Sequence, residues 1–193
     1  MSAQIVLGVT GGVAAYKSAQ LVSRLVQEGI GVQVVLTRAA KKFVGTATFA
    51  ALSGRPVADR IFEERRFPLG AHIELSTSMD LLCVAPATAD FLAKAAHGFA
   101  DDLLSTLYLA FSGPVIMAPA MNSQMWNHCA VQRNVAQLAA DGVTFVGPES
   151  GWLSCREQGP GRMADPEIIY QAICERLRTL GRTATAPQQS PRT

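Results

Sequence analysis

Charge is scarce in this chain, and what there is nearly cancels. Charged residues make up 17% of the 193 residues, and the formal net charge is +2. Aromatics reach only 7%, and no basic stripe is interleaved with them, which excludes a nucleic-acid partner. The four cysteines, Cys83, Cys129, Cys155 and Cys174, form no CxxC pair and suit neither a zinc ribbon nor a disulfide framework. No metal site is expected, and such irregular thiols fit a reducing compartment. No apolar run reaches the roughly 18 residues of a membrane span. The opening stretch MSAQIVLGVTGG has no basic n-region and no small-residue cleavage site, because its apolar run breaks at once into a glycine turn. Together these absences predict a cytoplasmic protein without a membrane partner.

What the chain does have is apolar residues, 49% of the total, enough for one well-buried domain. Five short apolar runs read as strands: Gln4–Val9, Gly31–Leu36, Leu81–Ala85, Pro114–Ala118 and Val143–Gly147. They are nearly continuous in apolar character, as parallel strands buried on both faces must be. Helical patterns lie between them, at Val13–Glu28, Gly45–Ser53, Ala89–Phe111 (two helices), Cys129–Asp141 and Pro166–Leu180. The first places Ala14, Ser18, Leu21, Leu25 and Val26 near one face. Such alternation predicts an α/β fold: a doubly wound, Rossmann-like parallel sheet in three α/β/α layers, a single domain over residues 1–180. The tail GRTATAPQQSPRT, residues 181–193, reads as disordered or as the start of a linker.

In doubly wound sheets ligands bind beyond the carboxyl ends of the strands. The first such turn, in GVTGGVAAYKS (Gly8–Ser18), runs from strand straight into helix. A P-loop is excluded because Tyr16 occupies its second glycine position. A dinucleotide fingerprint fails as well, because the glycines are Gly8, Gly11 and Gly12, and because the second strand ends in Thr37-Arg38 rather than an acid. Two readings remain: an ordinary glycine turn, or a cradle for a phosphorylated mononucleotide with Thr10 and Thr37 contributing hydroxyls.

The third turn, Pro86-Ala87-Thr88-Ala89-Asp90, is small enough for a planar ring to lie on its backbone, although Asp90 also suits a plain helix start. The fourth, Ala118–Asn127, presents Asn122, whose amide can both donate and accept, and which equally suits a helix N-cap. Of three histidines, His97 and His128 fit structural or surface roles. His72 follows the irregular connection RRFPLGA, and a lone histidine is more often structural than catalytic. Cys155 stands in the glycine-rich loop GWLSCREQGPGRM (Gly151–Met163), beside Arg156. That loop reads as a flap with glycine hinges, Arg162 serving as anchor or anion contact.

Several of these segments, in order, resemble the homo-oligomeric flavin-containing cysteine decarboxylases: the Gly8–Lys17 turn, AHIEL (Ala71–Leu75), PATAD (Pro86–Asp90), PAMNSQMW (Pro119–Trp126) and GPGRM (Gly159–Met163). The resemblance covers Gln4 to Leu180. It implies FMN as cofactor, held by Gly11, Gly12, Val13, Thr37, Arg38, Ala39, Ala87, Thr88, Ala89, Asp90 and Ala120. It further implies His72 as catalytic base, Cys155 as the acid of a reductive step, and Asn122, Met125 and Arg162 as substrate contacts. The branch it is most similar to decarboxylates 4′-phospho-N-pantothenoylcysteine to 4′-phosphopantetheine in coenzyme A biosynthesis, through a thioaldehyde and an ene-thiolate. Members are homotrimers or trimer-based dodecamers, with flavin near subunit contacts, and work with a separate or fused phosphopantothenate–cysteine ligase. The pattern departs from the family at Asp90 and Asp101, where asparagine is frequent. Rival readings are an oxidative peptidyl-cysteine decarboxylase, which needs no reductive acid, a non-catalytic regulatory flavoprotein, and a flavin prenyltransferase. Cys155 weighs against the first, the full set of His72, Asn122 and Cys155 against the second, and PAMNSQMW with AHIEL against the third.

Overall fold

Each apolar run becomes a strand because it has two faces to bury. Gln4–Val9 (β1), Gly31–Leu36 (β2), Leu81–Ala87 (β3), Val115–Pro119 (β4) and Thr144–Phe145 (β5) form one parallel sheet in the order β2-β1-β3-β4-β5. The computed structural model describes residues 2–63 and 65–182. Side chains alternate strictly between two cores: Ile5, Leu7 and Val9 enter one, Val6 the other, and Leu81 and Cys83 oppose Leu82 and Val84. Cys83 is wholly enclosed, and burial pushes its thiol up to about 12, so it is no nucleophile at neutral pH.

The helices are Ala15–Gln27 (α1), Thr46–Ser53 (α2), Ala71–Ser78 (α3), Ala89–His97 (α4), Leu103–Ala110 (α5), Ser123–Asn127 (α6), Cys129–Ala140 (α7) and Pro166–Thr179 (α8). Leu21 and Leu25 of α1 and Ile169 and Ile173 of α8 fill one core. Leu75 of α3, Phe91 of α4, Leu104 of α5 and Leu138 of α7 fill the other. Each such side chain contributes about 1.5–3 kcal/mol on leaving water. The result is a three-layer α/β/α unit, as expected.

The structure departs from the sequence reading in three places. The connection that carries His72 includes the helix α3. The loop around Cys155 is largely an antiparallel ribbon, Glu149–Trp152 (β6) paired with Gln158–Arg162 (β7). The last strand of the main sheet shrinks to Thr144–Phe145, since the chain turns away at Gly147, where φ is 79°. Most of the tail, residues 183–193, lies outside the described residues.

Strand β1 sits between β2 and β3, so the chain leaves it in one direction and crosses back to reach β3. The crossovers diverge there and open a crevice above the ends of β1 and β3. Two buried hydroxyls fix its floor. Ser18 of α1 donates to the Ala85 carbonyl at 2.6 Å. Thr10 donates to the Pro86 carbonyl at 2.7 Å and accepts from the Thr88 amide at 3.1 Å.

Candidate active site

The crevice is a cleft of about 990 Å³, walled by the turns after β1, β2, β3 and β4 and roofed by the β6–β7 hairpin. Helix α1 starts without a side-chain cap and without an acid in its first turn. Among the described residues the amides of Gly11, Val13 and Ala14 have no protein acceptor, and Gly11 to Ala14 all line the cleft. Unspent amides at the positive end of a 13-residue helix favour an anion. A Cβ on Gly11 would overlap Ala39 of the second turn, so glycine is what allows the two turns to meet.

Thr37, Arg38 and Ala39 line the facing wall. The Thr37 hydroxyl accepts from the Ala40 amide at 3.2 Å, while the Arg38 guanidinium has no acceptor or acid partner among the described residues. In the third turn Thr88 caps α4, accepting from Phe91, and Thr88, Ala89 and Asp90 line the cleft. Ala87 lies behind the lining, fully buried, and its carbonyl accepts from the Ala120 amide at 3.1 Å. Thr10, with both neighbours on the protein, acts as a staple between turns rather than as a ligand group.

Asp90 and Asp101, the two departures from the family pattern, meet at one side chain. Lys94 Nζ lies 3.0 Å from Asp101 and 3.4 Å from Asp90, at the cleft edge. Its hydrogen bond to Asp101 raises the Lys94 pKa and holds the Asp101 carboxyl below the usual carboxylate range. Lys94 stays a cation, but with its charge balanced by two acids it offers little attraction to an incoming anion.

Asn122 caps α6: its Oδ1 accepts from the Met125 amide at 2.8 Å. Both readings of this residue therefore coexist, since the Nδ2 donors have no protein partner among the described residues and Asn122 lines the cleft. Met125 and Ala120 line it too. Arg162 reaches it from β7, but its guanidinium is committed to Glu149 at 2.8 Å, which anchors the hairpin.

The hairpin is pinned where it meets Asn122. The Met121 amide donates to the Gly161 carbonyl at 2.9 Å, and a Cβ on Gly161 would overlap the Met121 carbonyl oxygen. The side chains of Trp152 and Leu153 hang into the cleft region, while Cys155 stands exposed at the hairpin tip, outside the lining. His72, near the start of α3, also lies outside it. Its Nδ1 is buried without a hydrogen-bond partner.

The fold thus gathers thirteen of the sixteen expected residues around one cleft and leaves out Ala87, Cys155 and His72. Several cleft residues are given no role by the sequence, among them Lys17, Phe43, Lys94, Met121 and Trp152. Lys17 closes the Gly8–Lys17 turn in the sequence without a role of its own. Here its ammonium donates to the Met163 carbonyl at 3.2 Å, tying the first turn to the hairpin exit.

Comparison with known proteins bears on the same surfaces. The Flavoprotein family matches residues 1–178. The coenzyme A biosynthesis bifunctional protein CoaBC of Vibrio parahaemolyticus is 46% identical over 174 residues, 90% of this chain and 43% of that protein. The chain therefore spans less than half the length of that relative. Among solved structures, the FMN-dependent cysteine decarboxylase SpaF superposes with a TM-score of 0.82 at 34% identity, covering 93% of this chain and 97% of its own. A PPC decarboxylase carrying a cysteine-to-serine substitution, complexed with pantothenoylaminoethenethiol, also gives 0.82, at 29% identity over 90% of this chain and 97% of its own.

Proposed function

This chain belongs to the Flavoprotein family, and we propose that it binds FMN in the cleft and decarboxylates 4′-phospho-N-pantothenoylcysteine to 4′-phosphopantetheine. One observation carries the reading. A glycine turn with unspent amides and the free Nδ2 donors of Asn122 share one cleft, and the cysteine hairpin is pinned to the same turn as Asn122. The fit to FMN is chemical: the Gly11, Val13 and Ala14 amides suit its phosphate, the small third turn Thr88-Ala89 admits a flat ring, and the lack of a side chain at Gly11 lets the first two turns meet around them.

Direct loss of CO2 from the cysteine carboxylate would leave a carbanion beside an amide nitrogen with nothing to delocalise it. Oxidation of the CH2–SH carbon to a thioaldehyde puts C=S beta to the carboxylate, and the electrons left by CO2 then flow into sulfur. When bound, FMN supplies the hydride acceptor for that oxidation and the hydride donor for its reversal. The chain supplies the rest. Asn122 donates through Nδ2 to the carboxylate and so holds the breaking C–C bond out of the plane of the forming double bond. His72 takes the thiol proton, a task suited to an imidazole at neutral pH. Cys155 gives a proton to the α-carbon of the ene-thiolate, without which reduction to the saturated thiol cannot follow.

Because His72 lies outside the cleft of its own chain, the proposal includes a homo-oligomer, a trimer or a multiple of one, in which His72 of one copy faces the cleft of the next. Exposed apolar side chains flank that surface: Leu69 and Ile73 beside His72, and Leu109 on the adjoining α5. The bifunctional coenzyme A biosynthesis relative, of whose length this chain spans 43%, supports a ligase partner, fused or separate; the setting proposed with it is cytoplasmic coenzyme A biosynthesis. Among the described residues no helix is long and apolar enough to cross a membrane.

The purified protein is expected to be yellow and to release CO2 from phosphopantothenoylcysteine, with a product lighter than the substrate by CO2 alone. Cys155→Ser should stop at the ene-thiol, lighter by a further two hydrogens in product mass spectrometry. A wild-type product already lacking those hydrogens would instead make this an oxidative decarboxylase, and a colourless protein unable to take up FMN would end the proposal.

A further inference from the structure

We infer that Glu157 is a positioning residue for Cys155: its carboxylate holds the thiol proton and returns one to sulfur after each turnover. The inference rests on the reading of Cys155 as the acid of the reductive half. Its evidence is the geometry of the hairpin tip. The Arg156 amide donates to the Leu153 carbonyl at 3.0 Å and the Leu153 amide to the Glu157 carbonyl at 2.8 Å, closing a tight turn between β6 and β7. Arg156 then adopts φ 66°, the only left-handed non-glycine residue among those described. This is the bulge position that hairpins of this length usually give to glycine. The left-handed residue folds the chain back so that Cys155 Sγ donates to Glu157 Oε2 at 3.8 Å.

Among the described residues no other charged group hydrogen-bonds that thiol. Arg162 and Glu149 are spent on each other at the hairpin base, and Glu149 also accepts from the Asp165 amide. The Arg156 side chain makes no hydrogen bond or ion pair among the described residues. Arg156 would therefore not activate Cys155 as a nucleophile; the partner of the sulfur is an acid.

An acceptor carboxylate suits a thiol that must give a proton rather than attack. The sulfur loses its proton to the α-carbon of the ene-thiolate, forming a C–H bond and breaking S–H. The sulfur is left as thiolate, and one proton from water passes through the Glu157 carboxyl to restore S–H. One proton enters per CO2 released, as the overall conversion requires. With the carboxylate gone, reloading slows and the ene-thiol escapes before reduction.

Two measurements on Glu157→Gln test this, one of which needs neither flavin nor substrate. Iodoacetamide alkylation, resolved by peptide mass spectrometry, should speed up at Cys155 by about fivefold at neutral pH, the effect of removing a unit charge ~4 Å away across water. The exposed Cys129 serves as the unchanged internal reference. In turnover, the share of ene-thiol among products should rise several-fold, and Glu157→Asp should restore both values towards wild type. An unaltered Cys155 alkylation rate overturns the pairing. Faster alkylation with unaltered product ratio overturns the proton supply. If wild-type protein fails to decarboxylate the substrate, the functional reading falls together with the proton supply, and the alkylation result still shows whether the pair exists.

Discussion

His72→Asn should give a folded, yellow protein that releases CO2 at a rate reduced by about 10²- to 10⁴-fold, the usual contribution of a positioned acid–base group. Asparagine keeps the polarity and approximate size of the imidazole, so α3 and its packing through Ala71 and Leu75 remain. It cannot carry a proton at neutral pH. A rate near wild type removes His72 from the mechanism. The same variant examines the oligomer. Asn122→Asp keeps the cap on α6, since aspartate accepts from the Met125 amide as asparagine does. It also opposes the substrate carboxylate with a like charge, and so should be inactive by itself. Copies of the two inactive variants, unfolded and refolded together, should regain about a quarter of wild-type activity if His72 and Asn122 of one site come from different copies of a closed ring. A mixture as dead as its parts would place both residues of a site within one chain.

Gly161→Ala is the second large effect expected, and it falls on stability and substrate together. Gly161 has φ 120°, a conformation that costs any residue with a side chain. Its new methyl would overlap the Met121 carbonyl oxygen and press on the Asn122 carbonyl carbon at 3.4 Å. Neither neighbour is the loose end of a flexible side chain, so backbone has to move and the Met121–Gly161 hydrogen bond goes with it. Strain and overpacking together amount to about 2–4 kcal/mol, or roughly 5–15 °C in Tm for a chain of this size. Because the clash falls on the Met121 and Asn122 backbone and not on the glycine turn after β1, flavin should stay bound while KM for the substrate climbs at least tenfold. Thermal unfolding and steady-state kinetics on the same preparation decide it; an unchanged Tm would mean the hairpin is not pinned at this point.

The sheet was legible because its strands are apolar on both faces: runs such as QIVLGV and LLCVA leave almost no solvent side. Helices α1, α4, α5, α7 and α8 were legible for the complementary reason, a single apolar stripe. Helix α3 hid because AHIELSTS buries only Ala71 and Leu75 and ends in hydroxyl residues, which usually compete with helix. Here Ser76, Thr77 and Ser78 turn those hydroxyls back onto carbonyls of the helix itself, at 2.6–3.2 Å. The β6–β7 ribbon hid because ESGW and QGPGR have no β-branched residue and no alternation, and because an arginine occupies the bulge position where glycine is the usual marker. The wall of the cleft could be read from turns that follow strands. The distance of His72 from that wall could not, since motif order along a chain says nothing about which motifs meet at one cleft.

The contact between Lys17 and Met163 gives the cleft a thermodynamic property. One ammonium joins the helix that begins at the glycine turn to the residue at which the chain leaves the hairpin. Whatever draws Lys17 towards the turn frees the Met163 carbonyl, and whatever shifts the hairpin frees Lys17 for the turn. Occupancy of the two halves is then linked, and linkage has no direction: the factor by which a ligand at the turn alters affinity under the hairpin is the factor by which the second alters the first.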